Sequence, residues 1–153
     1  MQKTENREVI FLVVEDNPAD QKLTMKALSR NSEKNVVVIA NDGQEALDYL
    51  NGHGEFGNRK KHPFPDIMLL DINMPRLNGK DLLQRIRISE QLKHLPVIML
   101  TNSVYEVDIV ESYRLGANAY VQKPVTIREF FEAVDNLENF WLNTTKLPGY
   151  FQN

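Results

Sequence analysis

Cysteine is absent from this 153-residue chain, which excludes a disulfide framework and any thiolate metal site. Long apolar runs are absent too. None approaches the roughly 18 residues of a membrane span, so no membrane association is expected. The first residues, MQKTENREV, lack the apolar stretch of a signal peptide. Histidine is scarce: His53, His62 and His94 are the only three, without carboxylates at ligand spacing, and solvated loop residues are expected. An excess of basic charge is also missing. The formal net charge of −3 provides no electrostatic footprint for nucleic acid, and Arg59-Lys60-Lys61 is too short a basic run to change that. What is present is the balance of a soluble globular protein, 42 % hydrophobic and 25 % charged, with length for one ordinary domain. A reduced, cytoplasmic setting is the expectation.

Short apolar runs alternate with amphipathic segments along the chain. VIFLVV (Val9–Val14) reads as a buried strand that stops at Glu15 and Asp16. Asn17-Pro18 opens a helix, with a capping side chain followed by proline at the first helical position. NVVVIA (Asn35–Ala40) is a second strand, and Asn41-Asp42-Gly43 turns the chain into a helix with Ala46, Leu47 and Leu50 on one face. Residues 52–65 are polar and broken by glycine and proline, hence a loop. DIMLL (66–70) is the third strand, ending on Asp71. A helix after Gly79 carries Leu82, Leu83 and Ile86, and VIML (97–100) is a strand ending on Thr101.

A helix is predicted over 104–115, closed by Gly116, and AYVQ (119–122) ends at Lys123-Pro124. The last helix opens on the capping-box pattern Thr126-Ile127-Arg128-Glu129. Its predicted apolar stripe is Ile127, Phe130, Phe131, Val134, Leu137 and Trp141. Five strands alternating with five helices predict a doubly wound α/β domain around a parallel sheet. One domain is expected over 1–153, with its core at about 9–142, a tail at 143–153 and no output domain.

Sites in open parallel sheets form beyond the carboxyl ends of the strands. Those ends deliver Glu15 and Asp16, Asp71, Thr101 and Lys123, so three carboxylates, a hydroxyl and an ammonium converge on one rim. Three crowded carboxylates repel one another unless a cation sits among them. Mg²⁺, bound by one or two carboxylates and waters, is the natural choice. Lys123 can neutralise the other side of a phosphoryl group, and Thr101 offers it a hydroxyl. A carboxylate in such a place is a plausible phosphoryl acceptor, since that transfer depends mostly on positioning and charge stabilisation. Alone, each residue has an ordinary role: an acidic strand end, a turn aspartate, a strand-ending threonine, a half-buried tyrosine, a surface lysine. Their joint order carries the reading.

At these positions the sequence resembles the receiver domain of two-component response regulators, over about residues 9–142. Asp71-Ile72-Asn73-Met74-Pro75-Arg76-Leu77-Asn78-Gly79 matches that family's acceptor signature. The acidic pair, the strand-four threonine, the aromatic Tyr120 and Lys123-Pro124 follow in the family's order. The resemblance implies a flavodoxin-like fold in which Asp71 accepts a phosphoryl group from a sensor histidine kinase in a Mg²⁺-dependent reaction. Asp16 and Asp71 would hold the metal directly, Asn73 through its backbone carbonyl, and Glu15 through water. Lys123 would pair with the phosphoryl group, and the Lys123–Pro124 bond would be cis. Thr101 and Tyr120 would form the switch pair, while Asn73 and Ser103 would tune water attack on the phosphoryl group. The residue after the switch threonine is usually small in this family. Asn102 departs from that and puts the rates of phosphorylation and hydrolysis in question.

More narrowly, the chain is similar to single-domain regulators that partner bacterial, especially cyanobacterial, phytochrome kinases. The residues concerned are Glu15-Asp16-Asn17-Pro18-Ala19-Asp20, Leu115-Gly116-Ala117-Asn118-Ala119-Tyr120, and Phe140-Trp141 followed by Leu147-Pro148. Two rival functions remain at this point. A small phosphohydrolase with an aspartate nucleophile would want a carboxylate two residues after Asp71 to protonate the leaving group, and Asn73 stands there. A receiver-like interaction module that is never phosphorylated would have lost the acceptor, an acid or the lysine, and none is lost. Phe140, Trp141, Leu147, Tyr150 and Phe151 add apolar groups beyond what one more helical turn buries, so a homodimer through the fourth and fifth helices and the tail is expected.

Overall fold

The structure is a computed structural model that describes residues 7–148. Its elements are β1 (Val9–Val14), α1 (Pro18–Asn31), β2 (Asn35–Ala40), α2 (Gly43–Asn51), a 3₁₀ turn (Gly54–Gly57), β3 (Ile67–Leu70), α3 (Gly79–Ile88), β4 (Val97–Thr101), α4 (Glu106–Arg114), β5 (Ala119–Gln122), α5 (Ile127–Glu138) and a π-helical turn (Asn139–Thr144). The strands form one sheet in the order β2-β1-β3-β4-β5, with every pairing parallel. This is the doubly wound architecture that the alternating pattern predicts. The chain departs from β1 to one side (β2) and then to the other (β3). The carboxyl ends of β1 and β3 therefore frame the crevice where ligands gather in such sheets.

Strand alternation sorts the core into two layers. Leu12, Val14, Met68, Leu70, Val97 and Met99 pack with Ala46 and Leu50 of α2 and Leu82, Leu83 and Ile86 of α3. Phe11, Val13, Ile67, Leu69 and Ile98 point the other way, onto Ala27 and Leu28 of α1 and Phe130, Val134 and Leu137 of α5. Four helix starts are capped as their sequences imply. Asn17, Asp42, Asn78 and Thr126 accept from the backbone N–H three residues on, at 3.0, 2.8, 2.9 and 3.1 Å. Each such cap contributes about 1 kcal/mol. Tyr105, before α4, provides no side-chain cap. Among the described residues no helix is long and apolar enough to cross a membrane.

Several expectations are corrected. α4 begins two residues later than its apolar pattern implied, because Val104 and Tyr105 have no capping chemistry and Tyr105 stays extended. Ile127 does not join the α5 stripe: as the first helical residue it stands clear of the sheet and is 61 % exposed. Leu147, expected in an exposed tail patch, is fully buried, and Pro148 packs near Phe64, Pro65 and His94, so this part of the tail folds back. Tyr150 and Phe151 lie outside the described residues.

The Lys123–Pro124 bond is trans, the form still favoured by about 0.5–1 kcal/mol before proline. The loop of 52–65 is less solvated than its composition implied. Arg59 bonds the carbonyls of Tyr49 and Leu50 at 2.8 and 2.7 Å, closing the end of α2. His62 sits edge-on to Phe56 with ring centres 5.3 Å apart.

Gly79 ties α3 to the end of β3. Its N–H donates to the Ile72 carbonyl at 2.7 Å, and a Cβ there would stand 2.1 Å from the Asp71 carbonyl oxygen. Gly79→Ala is expected to cost about 1–3 kcal/mol through this backbone clash. Gly57→Ala, whose Cβ would meet nothing nearer than 3.5 Å, should be near neutral. Urea unfolding midpoints compare the two, and equal midpoints would refute the close-approach account.

Candidate functional site

The parallel register brings the strand ends onto one rim. β1 runs into Glu15 and Asp16, β3 into Asp71, β4 ends on Thr101 and β5 runs into Lys123. Carboxylate oxygens of Glu15, Asp16 and Asp71 lie within 4.8 Å of one another, and this is the one such acidic group among the described residues. Glu15 and Asp71 are buried and Asp16 is exposed, so the cluster is open to solvent on one side.

Lys123 closes the other side. Its Nζ lies 2.5 Å from Glu15 Oε1, 2.8 Å from Asp20 Oδ2 and 3.1 Å from Asp71 Oδ2, with only 3 % of its side chain exposed. The two buried carboxylates are also oriented by backbone donors. The Ile72 N–H reaches Asp71 Oδ1 at 2.7 Å, and the Asn17 N–H reaches Glu15 Oε2 at 3.1 Å. Asp20 was not among the candidate residues. Its position in the first turn of α1, just past the Asn17-Pro18 start, was the available signal, since that turn overhangs the end of β1.

The charges are strongly perturbed. Burial pushes the Glu15 carboxyl up to about 7; Lys123 pulls against this, and the Asp71 charge adds to it. Burial alone would lower the Lys123 ammonium, but the bonds to Asp20 and Glu15 and the charges of Asp71 and Glu15 outweigh it and hold the group above its ordinary value. The site is therefore short of positive charge. One ammonium faces Glu15, Asp16, Asp20 and Asp71.

Thr101 is fully buried, and its carbonyl accepts from the Lys123 N–H at 2.8 Å. The Ser103 N–H lies 3.4 Å from Thr101 Oγ1, and the Tyr120 hydroxyl donates to the Ser103 carbonyl at 3.0 Å. Thr101 and Tyr120 are thus joined through Ser103. Asn73 is exposed in the loop after Asp71. That loop is pinned by Arg76, which holds a left-handed backbone (φ 67°) and forks onto the Asp42 carboxylate at 2.9 and 3.1 Å. Asn102 lines a cleft of about 300 Å³ with Asp20, Leu23, Lys123, Pro124 and Val125.

A parallel α/β sheet with an acidic trio and a buried lysine at its carboxyl rim places a charged, ligand-accepting crevice where open sheets of this kind bind their ligands. Comparison with known proteins identifies the family. The response regulator receiver domain family matches residues 11–135, and the chain belongs to that family. The response regulator Rcp1 of Synechocystis sp. is 35 % identical over 149 residues, covering 97 % of this chain and 99 % of Rcp1. A structure of the Mn²⁺-bound form of Rcp1 superposes with a TM-score of 0.83 at 35 % identity, over 92 % of this chain and 99 % of that one.

The phosphorylated cyanobacterial phytochrome response regulator RcpA matches with a TM-score of 0.87 and 38 % identity, over 92 % of this chain and 99 % of RcpA. The bacteriophytochrome response regulator AtBRR matches with a TM-score of 0.71 and 47 % identity, over 88 % of this chain and 96 % of its own. The chain is a response-regulator receiver homologous to phytochrome response regulators.

Relieving the charge crowding should stabilise the metal-free protein. Asp16→Asn is expected to raise the thermal midpoint in chelator-treated buffer by about 2–4 °C, the shift corresponding to roughly 1 kcal/mol at this size. A lower midpoint would mean that Asp16 makes a net favourable contact rather than adding to the repulsion.

Proposed function

We propose that this protein is a stand-alone response regulator whose Asp71 accepts a phosphoryl group from a sensor histidine kinase of the phytochrome type. The observation that carries this reading is the buried Lys123 ammonium held against Glu15 and Asp71. A carboxylate oxygen beside a fixed cation is oriented to attack, and the charge of the incoming phosphoryl group meets a counter-charge. Asp71 Oδ forms the new O–P bond while the P–N bond to the kinase histidine breaks, with its electron pair returning to the imidazole. Thr101 donates its hydroxyl to a phosphoryl oxygen, and Tyr120 follows the movement. A cleft lined by Asp20, Leu23, Asn102, Lys123, Pro124 and Val125 adjoins the lysine side of the site.

The acidic trio fits a hard divalent ion. Two oxygens bound directly to one Mg²⁺ can lie no further apart than about 4.2 Å. Both Glu15 oxygens are already engaged, by Lys123 and by the Asn17 N–H, so Asp16 and Asp71 would bind the ion directly and Glu15 through water. The Asn73 carbonyl completes the set. When bound, Mg²⁺ would supply the positive charge that this rim lacks. That the relative Rcp1 has a Mn²⁺-bound form supports a divalent ion for this chain.

Incubation with acetyl phosphate and Mg²⁺ should add one phosphoryl group by intact mass, and Asp71→Asn should abolish it. An unchanged mass shift in Asp71→Asn would move the acceptor elsewhere. Asp16→Ala should lose most of the reaction.

A homodimer formed through a surface of the receiver itself is part of this proposal. Val104, Tyr105, Val107, Val110 and Tyr113, on α4 and the loop before it, are 45–69 % exposed, and Phe140 is 50 % exposed. Such a patch on one chain is matched by the same patch on a second. Sedimentation should find a dimer at tens of micromolar that dissociates in Val107→Glu/Tyr113→Glu. A monomer with and without an acyl-phosphate analogue would remove the dimer.

A further inference from the structure

The start of α3 is fixed to the acceptor, since Gly79 leaves no space between its own backbone and that of Asp71. The next residue, Lys80, reaches across to α4. Its Nζ lies 2.5 Å from both Asp108 Oδ1 and Glu111 Oε1. Asp108 also accepts the Ser103 hydroxyl, and the Ser103 carbonyl accepts the Tyr120 hydroxyl at 3.0 Å. One unbroken polar chain therefore joins α3 through α4 and the loop after β4 to Tyr120. α4 is otherwise lightly attached. Only Ser112 in it is buried, and its start has no side-chain cap. The bonds to Lys80 and then to Ser103 hold Asp108 below the ordinary carboxylate range, and the Lys80 ammonium is raised by Asp108 first and by Glu111 next.

The geometry points to Lys80 as a positioning residue of the switch, an ionic tie that holds residues 102–108 and the Tyr120 hydroxyl against α3 and so governs how far α4 responds to events at Asp71. Partly exposed ion pairs are individually weak. That weakness suits a tie that must yield to a single phosphoryl group, because an element held by many kilocalories could not be redistributed by one ligand. The loop it restrains contains Ser103, two residues from Thr101, so a pull on Thr101 is opposed at Asp108. The consequence for signalling rests on Asp71 being the acceptor, whereas the tie itself does not.

Amide hydrogen exchange on the full, unphosphorylated chain reads the tie directly. In Lys80→Met the amides of residues 102–108 should exchange about fivefold faster, as loss of roughly 1 kcal/mol of local protection implies, with β1 and β3 unchanged. Lys80→Arg should keep the protection, and molar salt should carry wild type towards Lys80→Met. Equal exchange at 102–108 in wild type and Lys80→Met, or faster exchange in β1 and β3 as well, would overturn the tie.

A second arm adds beryllium fluoride with Mg²⁺ as an acyl-phosphate analogue. Exchange in residues 106–114 should change in wild type and change at least twofold less in Lys80→Met. An identical response in both proteins would overturn the transmission through Lys80. A wild type that ignores the analogue would overturn the transmission as well as the acceptor reading, and the first arm alone would then decide the tie.

Discussion

The fold is organised around an unbalanced charge. Lys123 is buried where β5 ends and meets Glu15, Asp20 and Asp71, while Asp16 stands beside them with no ammonium of its own in the cluster. A lone buried carboxylate would protonate or destabilise the fold. Here the lysine and the backbone donors at Ile72 and Asn17 keep the carboxylates oriented without cancelling their charge. The residual negative potential makes the rim receptive to a divalent cation. It also leaves Asp71 with a defined orientation and little freedom to be anything other than a presented oxygen.

The backbone around Asp71 is held by close approach of neighbouring backbone, with one long side chain clamping the loop that follows. Gly79 lies against the Asp71 carbonyl and Gly43 against Leu77, and Arg76 clamps the intervening loop to the cap of α2. The opposite side of the rim is built differently. The segment after Thr101 runs over an uncapped helix start, and its ties are hydroxyls and ion pairs that partly face solvent. A rigid Asp71 beside a yielding loop is the arrangement that the proposed switch would require, because a small displacement at Asp71 is passed on only where the neighbouring element has a second arrangement of similar energy.

A group of exposed apolar residues lies on the yielding side. Val107, Val110 and Tyr113 belong to α4 itself, so any redistribution of α4 changes the surface it offers. The chain's end contributes in a different way. Leu147 is buried and Pro148 lines a small cavity with Phe64, Pro65 and Pro96, beside the amino ends of β3 and β4 and away from the rim. The chain's end thus buries Leu147 while leaving Phe140 half exposed.

Much of this was legible in the residues alone. Strand alternation, helix caps and the glycine and proline breaks determined the order of the elements. Five parallel strands could then place their carboxyl ends only on one edge, so Glu15, Asp16, Asp71, Thr101 and Lys123 were bound to share it. These are local and periodic signals, written in consecutive residues. What tertiary structure decided were the contacts between residues distant in sequence and without a periodic mark. Asp20 reaching Lys123 depends on how α1 overhangs β1. Arg59 capping α2 turns a loop that reads as polar into a structural one. Ile127 is excluded from the core and Leu147 admitted to it because burial depends on where an element meets the sheet, not on its own pattern. Lys80, an unremarkable lysine in the sequence, gains its place from α3 and α4 lying side by side, a proximity created only when the sheet is wound.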